Sequence, residues 1–433
     1  MQSKRKVKIL VVGSGGREHA LVWKIRQSEL VEVVYAAPGN AGMHTIAECV
    51  PIDVMDIEGL VKFAKDRSID LTVVGPEAPL VAGIADRFQQ EGLLLFGPNK
   101  SGAQLEGSKV FSKNMMNAAG VPTAKHEVFT EVAQAKEYII KSEPPFVIKV
   151  DGLAAGKGVI IAHSAAEGIE AINGILSGHS FGDAGKRIII EEYLEGEELS
   201  AIVFTDGENV LPLVTSQDHK RAYDHDEGPN TGGMGAVSPS PLVSQDDVAV
   251  IVNKAIVPII REFKHRAITF RGVIYAGLMI TKKGPMVLEY NVRFGDPEIQ
   301  AIIPRLRSDI VPLLFEVALG EITMDSLSWD ARPCTAIVMA SKGYPNEYEK
   351  GAVIEGLEGV NTSEVTVFHA GTKFNQEGKV VTNGGRVLAV SALGDNLKDA
   401  QQKAYQAIEK IKCDDLFFRT DIGEKAIRGC EHV

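Results

Sequence analysis

Short apolar runs and amphipathic stretches alternate along the first hundred residues. Val7-Lys-Ile-Leu-Val-Val reads as a strand, residues 17–27 as a helix and residues 31–36 as a second strand. Leu71-Thr-Val-Val and residues 93–96 are further strands. Strands this short and apolar, separated by helices, predict a parallel sheet covered on both faces. Gly13-Ser-Gly-Gly, Gly75-Pro-Glu and Gly97-Pro-Asn all follow strands, at the end where such sheets take their ligands.

Residues 108–119 read as a helix, with Ser108 to cap it, Gly120 to stop it and Pro122 to prevent continuation. Strand and helix alternate again to about residue 200, and a loop rich in Gly, Pro and Asp then covers roughly 215–241. Residues 252–263 are expected to be helical, and 272–280 with 286–290 to form a hairpin. From about 330 the texture changes, with strands at 334–340, 365–370 and 386–391 and an amphipathic helix at 397–411. That pattern predicts a separate α+β domain.

A chain of 433 residues exceeds what one core serves, so two to four domains are expected. The formal net charge of −11 argues against broad binding to nucleic acid, though not against a local basic pocket. Four cysteines, none in a CxxC pair or at zinc-like spacing, fit idle thiols in a reducing compartment. The apolar stretch of the first strand is too short for a leader core or a membrane span. A cytoplasmic protein with no membrane partner is expected.

The chemistry gathers in four segments. In Val287-Leu-Glu-Tyr-Asn-Val-Arg-Phe-Gly-Asp-Pro-Glu298, residues Glu289, Asn291 and Arg293 share one strand face if the strand runs that far. Two oxygen ligands beside a guanidinium suit a hard cation carrying phosphates, although an ordinary polar strand end has the same composition. In Phe146-Val-Ile-Lys-Val-Asp-Gly-Leu-Ala-Ala-Gly-Lys-Gly-Val159, Lys149 sits mid-strand and Gly152, Gly156 and Gly158 follow, with Lys157 at the tip. Glycines let backbone N–H groups approach phosphate, and a lysine adds charge; Gly158 after Lys157 excludes a Walker A loop. A functionless glycine turn is the competing reading. It leaves Lys149 unexplained, because a charge inside an apolar strand needs a partner. In Arg187-Ile-Ile-Ile-Glu-Glu-Tyr-Leu-Glu-Gly-Glu-Glu-Leu199, the backbone past the strand can read an adenine edge and Glu198 can accept from ribose hydroxyls. Acidic surface turns are common, so this segment alone decides little.

The fourth segment is Gly13-Ser-Gly-Gly-Arg-Glu18. Glu18 replaces the third glycine of a dinucleotide fingerprint, and no acid follows the second strand to hold a ribose. A turn at Gly15 and Gly16 that feeds a helix still suits a phosphate monoester, or no ligand at all. His19, His219 and His225 are further candidates for contact with substrate, although a histidine in a polar loop is more often a solvated surface residue.

In their order along the chain these segments resemble the ATP-grasp carboxylate–amine ligases. End to end, the chain is similar to one family among them, the phosphoribosylamine–glycine ligases. The most specific pieces are Gly13-Ser-Gly-Gly-Arg-Glu-His-Ala20, Gly75-Pro-Glu-Ala-Pro-Leu80 and Lys149-Val-Asp-Gly-Leu-Ala-Ala-Gly-Lys-Gly158. Thr215-Ser-Gln-Asp-His-Lys-Arg221, Gly228-Pro-Asn-Thr-Gly-Gly-Met-Gly-Ala236 and Asn291-Val-Arg-Phe-Gly-Asp-Pro-Glu298 set this family apart from its relatives.

The resemblance implies an α/β and α+β multidomain fold. It comprises a pre-ATP-grasp parallel-sheet N-domain (1–105), an ATP-grasp domain (106–328) with a lid subdomain at about 124–195, and a C-terminal α+β domain (329–433). It implies that Lys109 and Lys149 contact the phosphates of ATP and that Gly152, Gly156, Lys157 and Gly158 close over them. Glu191, Glu192 and Leu194 would hold adenine through the backbone, and Glu198 the ribose. Glu289 and Asn291 would bind magnesium or manganese. Arg293, with Lys149, would serve the transferring phosphoryl group. Gly15, Gly16, Asp218, Lys220 and Arg221 are the candidates for holding glycine and 5-phosphoribosylamine. The reaction implied joins these two through a glycyl phosphate, giving 5-phosphoribosylglycinamide, ADP and phosphate, in a monomer. Another ATP-grasp carboxylate–amine ligase or a carboxylase is the alternative.

Overall fold

The computed structural model of the chain describes residues 5–153, 158–177 and 182–430. Its amino-terminal unit is a five-stranded parallel sheet in the order Glu48–Cys49, Val31–Pro38, Val7–Gly13, Leu71–Val74, Leu95–Phe96. Successive side chains of Val7–Gly13 enter two different cores. Leu10 and Val12 pack with Leu60 and Phe88, while Ile9 and Val11 pack with Leu21 and Ile25. This is the doubly covered sheet that uniformly apolar strands demand. Helix Lys109–Ala119 starts as expected, with Ser108 accepting from the Phe111 N–H, and ends at Gly120, whose φ of 66° is left-handed.

Residues 126–192 form a second unit with its own small core. Antiparallel strands His126–Phe129, Ile188–Glu192, Phe146–Val150 and Val159–Ala162 pack against helices Val132–Lys141 and Ala165–Leu176. A third sheet, in the order Val210–Pro212, Glu197–Thr205, Gly272–Thr281, Gly284–Asn291, contains the expected hairpin. The helix expected at 252–263 runs in three pieces: Gln245–Ile251, a wide π turn Val252–Ile256, and Val257–His265. Pro258 follows the wide turn and has no N–H to continue the regular ladder.

The stretch 215–241 is not the loop that its composition suggested. Gln217–Asp218 and Gly235–Ser238 are strands of the carboxy-terminal sheet, which continues through Cys334–Ser341, Arg386–Leu393 and Val365–His369. Strands of two and four residues are too short to show an alternating pattern, and their partner lies about a hundred residues further on. The carboxy-terminal sheet therefore takes two strands from inside the central part of the chain.

This sheet also meets the amino-terminal unit. His369 donates its backbone N–H to His19 Nδ1 (2.8 Å), and Asn40 Nδ2 bridges the carbonyls of Ser14 (2.9 Å) and His369 (2.7 Å). His19 and His219 are buried, contrary to expectation, and His225 is exposed. Among the described residues no helix is long and apolar enough to cross a membrane.

Candidate active site

A cavity of about 920 Å³ opens where the units converge. Lys109, Lys149, Gly152, Gly158, Glu191, Glu192, Leu194, Glu198, Asp218, Lys220, Arg221, Glu289, Asn291 and Arg293 all line it. Gly156 and Lys157 lie outside the described residues.

Lys149 has the partner its position requires. Its Nζ lies 3.1 Å from Glu191 Oε2 and donates to the Leu288 carbonyl (3.1 Å). Sequence reasoning missed a second lysine, Lys113, whose Nζ lies 3.2 Å from the other Glu191 oxygen and donates to Thr123 Oγ1 (2.7 Å). The available signal was its spacing, one helical turn after Lys109 on the same face. Burial, reinforced by Lys149, holds Lys113 down to about 8 against the pull of Glu191. Lys109 donates to the Gly152 carbonyl (3.1 Å), tying the helix to the start of the glycine loop.

The backbone that can read a base is narrower than expected. Glu191 pairs with Val147 inside the sheet, and Glu192 donates its N–H to the Lys125 carbonyl (2.9 Å). The strand ends at Glu192, and Tyr193 and Leu194 lie between it and the next strand, which starts at Glu197. Glu198 is engaged by Lys220, with Nζ 2.5 Å from Oε2. Burial opposes the Lys220 charge, but Glu198 and Asp218 hold its proton well above the usual lysine range. Asp218 is pushed up by burial, against Lys220, with Glu298 and Glu198 adding to the push.

The strand carrying Glu289 and Asn291 stops at Asn291, so Arg293 lies beyond it rather than on its face. It returns to the site through contacts. Nη2 donates to Asn291 Oδ1 (3.0 Å) and lies 3.0 Å from Glu106 Oε1, and Nε lies 3.4 Å from Glu77 Oε2. Glu106 also accepts the Val292 N–H (2.8 Å), which fixes the turn that carries Arg293. Neither carboxylate was a sequence candidate, although Glu77 stands in the Gly75-Pro-Glu turn. Burial opposes the Glu289 charge, yet Lys220, Lys149, Lys109 and Arg293 together hold it below the usual carboxylate range.

An ionised Glu289 and the Asn291 amide oxygen are hard donors that suit magnesium or manganese. Among the described residues no group of three or more His, Cys, Asp or Glu could hold a metal. Two protein donors fit a cation that keeps water and phosphate oxygens as its other ligands.

Gly15 and Gly16 do not reach the cavity wall; the next residue, Arg17, does. The Gly15 N–H expected to meet a phosphate is taken by Glu18 Oε2 (2.6 Å), and Glu18 Oε1 accepts from Arg17 Nε (2.5 Å). A Cβ at Gly13, Gly15 or Gly75 would strike the Glu18 side chain. These glycines make room for a buried carboxylate. At the same end of the cavity Arg386 donates to the carbonyls of Asp296 (2.6 Å) and Gly232 (2.7 Å). No motif marked Arg386.

Known proteins share both the sequence and the architecture. Three family models match, described as Phosphoribosylglycinamide synthetase N domain (residues 7–106), ATP-grasp (A) domain (107–299) and C domain (334–425). The phosphoribosylamine–glycine ligase of Halalkalibacterium halodurans is 51% identical over 97% of each chain. That of Escherichia coli K12 is 50% identical over 97% of this chain and 99% of its own. The crystal structure of the Thermotoga maritima phosphoribosylamine–glycine ligase superposes with a TM-score of 0.84 at 34% identity, covering 96% of this chain and all of that one. The biotin carboxylase domain of 2-oxoglutarate carboxylase from Hydrogenobacter thermophilus reaches 0.76 at 16% identity, covering 99% of each chain, and shows the shared fold alone. With half its residues identical across nearly the full length of such ligases, the chain belongs to the phosphoribosylamine–glycine ligase family of ATP-grasp enzymes.

Proposed function

We propose that this cavity carries out the family reaction, ATP-dependent joining of glycine to 5-phosphoribosylamine, with roles divided along its length. The observation that carries the assignment is the run of charge through one cavity, from the Lys113–Glu191–Lys149 cluster through Lys109 and Glu289–Asn291 to Arg293. Adenine sits against the peptide groups of Tyr193 and Leu194, with Glu198 toward the ribose. Lys109 and Lys149 neutralise the phosphates, and Gly152 and Gly158 let the backbone approach them. Glu289 and Asn291 would hold magnesium or manganese, which would supply charge neutralisation to the phosphoryl group in transfer.

A carboxylate is a poor electrophile, so a glycine oxygen first attacks the γ-phosphorus and ADP departs. Arg293, held by Glu106, Glu77 and Asn291, faces the transferring group. The phosphoribosylamine nitrogen then attacks the glycyl carbonyl carbon and phosphate leaves. No side-chain nucleophile is required; positioning and charge neutralisation supply the catalysis. Asp218, Lys220 and Arg221 serve the two smaller substrates.

The test is ADP release with phosphoribosylamine generated in situ. Release that needs both glycine and the amine, and is insensitive to bicarbonate, is expected. Release driven by bicarbonate, or independent of glycine, would overturn the assignment.

A further inference from the structure

Arg419 is among the largest fully buried side chains of the molecule, and the reaction just described gives it no task. It sits near the carboxy-terminus, between a strand and the final helix. Its guanidinium grips Asp421 with two parallel bonds, Nε to Oδ1 and Nη2 to Oδ2, each 2.8 Å. The remaining nitrogen, Nη1, reaches across about two hundred residues of sequence. It donates to the Arg221 carbonyl (3.1 Å) and to Asp226 Oδ1 (3.0 Å).

The neighbours of Arg419 grip the same stretch. Thr420 donates its N–H (2.8 Å) and hydroxyl (2.6 Å) to the two oxygens of Asp224. Asp421 accepts the His225 N–H (2.9 Å), and Gly423 donates its N–H to His219 Nε2 (3.1 Å). Lys425 bonds Asp226. The clamp is itself anchored, because Tyr405 donates to the Arg419 carbonyl (2.8 Å) and accepts the Ile422 N–H (3.1 Å).

The gripped stretch is under backbone strain. His225 has φ of 60° and Asp226 φ of 57°, successive left-handed residues of which neither is glycine. Such a pair persists only where its surroundings over-determine it. The same stretch carries Asp218, Lys220, Arg221 and Asp226 on the cavity wall.

We propose that Arg419 is a positioning residue for the ligase reaction. With Thr420, Asp421 and Gly423 it holds residues 219–226 in a strained conformation that keeps Asp218, Lys220 and Arg221 in place for glycine and the phosphorylated amine. The proposal rests on the functional reading above for the identity of those substrates.

Arg419→Lys keeps the charge and removes the fork. The KM values for glycine and for phosphoribosylamine should each rise about tenfold, while the KM for ATP rises less, because its lysines and hinge lie on other elements and only Glu198, through Lys220, meets the held stretch. Asp224→Ala, a half-buried side chain off the cavity wall, cuts both Thr420 bonds with less risk to folding and should shift the same two constants in the same direction. In both variants hydrogen exchange at the His225 amide should quicken while exchange in strand Phe146–Val150 stays unchanged. A lower melting temperature with all three KM values unchanged would reduce Arg419 to a structural role and overturn the proposal. A wild-type enzyme whose ADP release ignores glycine and the amine would sink the functional reading instead.

Discussion

Glu191 is a buried carboxylate shared by two buried ammonium groups. Glu191→Gln would leave Lys113 and Lys149 facing each other without their counter-charge. Removing one partner of such a cluster costs about 3–5 kcal/mol, so urea unfolding should show a loss of that order. An unchanged unfolding free energy would remove Glu191 from this role. At the other end of the cavity, Glu289→Gln and Asn291→Ala should each lower turnover by about a hundredfold or more with the fold intact, since both would hold the cation that neutralises the charge in transfer. Near-wild-type turnover at limiting magnesium would exclude them as metal ligands.

The histidines give a pH prediction. Burial, with the charge of His369, pushes His19 down to about 3; burial alone pushes His369 down to about 4. Burial and Arg419 push His219 down to about 4. Each imidazole is neutral when folded and binds a proton more readily when unfolded, near pH 6.5. Their contribution is therefore intact above about pH 6.5 and is lost as pH falls toward 4, by up to about 1.4 kcal/mol per pH unit for each group. Urea midpoints measured between pH 7 and pH 4.5 should fall, and His369→Gln should make the fall shallower. A flat profile would contradict the burial of these rings in the neutral form.

At the scale of elements, the glycine turn after strand Phe146–Val150 makes a specific demand. Gly152 has φ of 150°, and a Cβ there would come within 2.7 Å of Ala184 Cβ. Gly152→Ala should displace the carbonyl that Lys109 bonds and raise the KM for ATP about tenfold, with the KM for glycine unmoved. Equal effects on both constants would separate this turn from the nucleotide. The glycine turn was legible from sequence because its signal is local. The same holds for the parallel strands, the Ser108 cap and the 272–291 hairpin. The strands at 217–218 and 235–238 were not legible, since only a partner at 334–341 makes them strands. Arg293 was found for a reason the structure revises. It follows the strand end, and Glu106 and Glu77 return it to the site.

The whole molecule places one cavity among pieces that sequence order separates. Lys113 had a readable spacing, and Arg17 and Asp296 stand in motifs read from the sequence, but they meet Glu106 and Arg386 only through folding, and nothing local marks those two. The Asn40 bridge between Ser14 and His369 ties the amino- and carboxy-terminal units together. Asn40→Ala would leave the buried His369 carbonyl, and the Ser14 carbonyl beside it, without this donor and should cost about 1–3 kcal/mol in urea unfolding. No loss would show that this seam does not hold the two units together.

In the proposed reaction glycine is activated by phosphorylation before the amide forms. In that order the attacking glycine oxygen becomes the bridging oxygen of glycyl phosphate and leaves with phosphorus when the amine attacks. Glycine labelled with ¹⁸O in its carboxylate, turned over with ATP and phosphoribosylamine, should therefore deliver one labelled oxygen into each inorganic phosphate, seen by mass spectrometry or as an isotope shift in the phosphorus spectrum. Unlabelled phosphate, or label carried in AMP, would contradict the account.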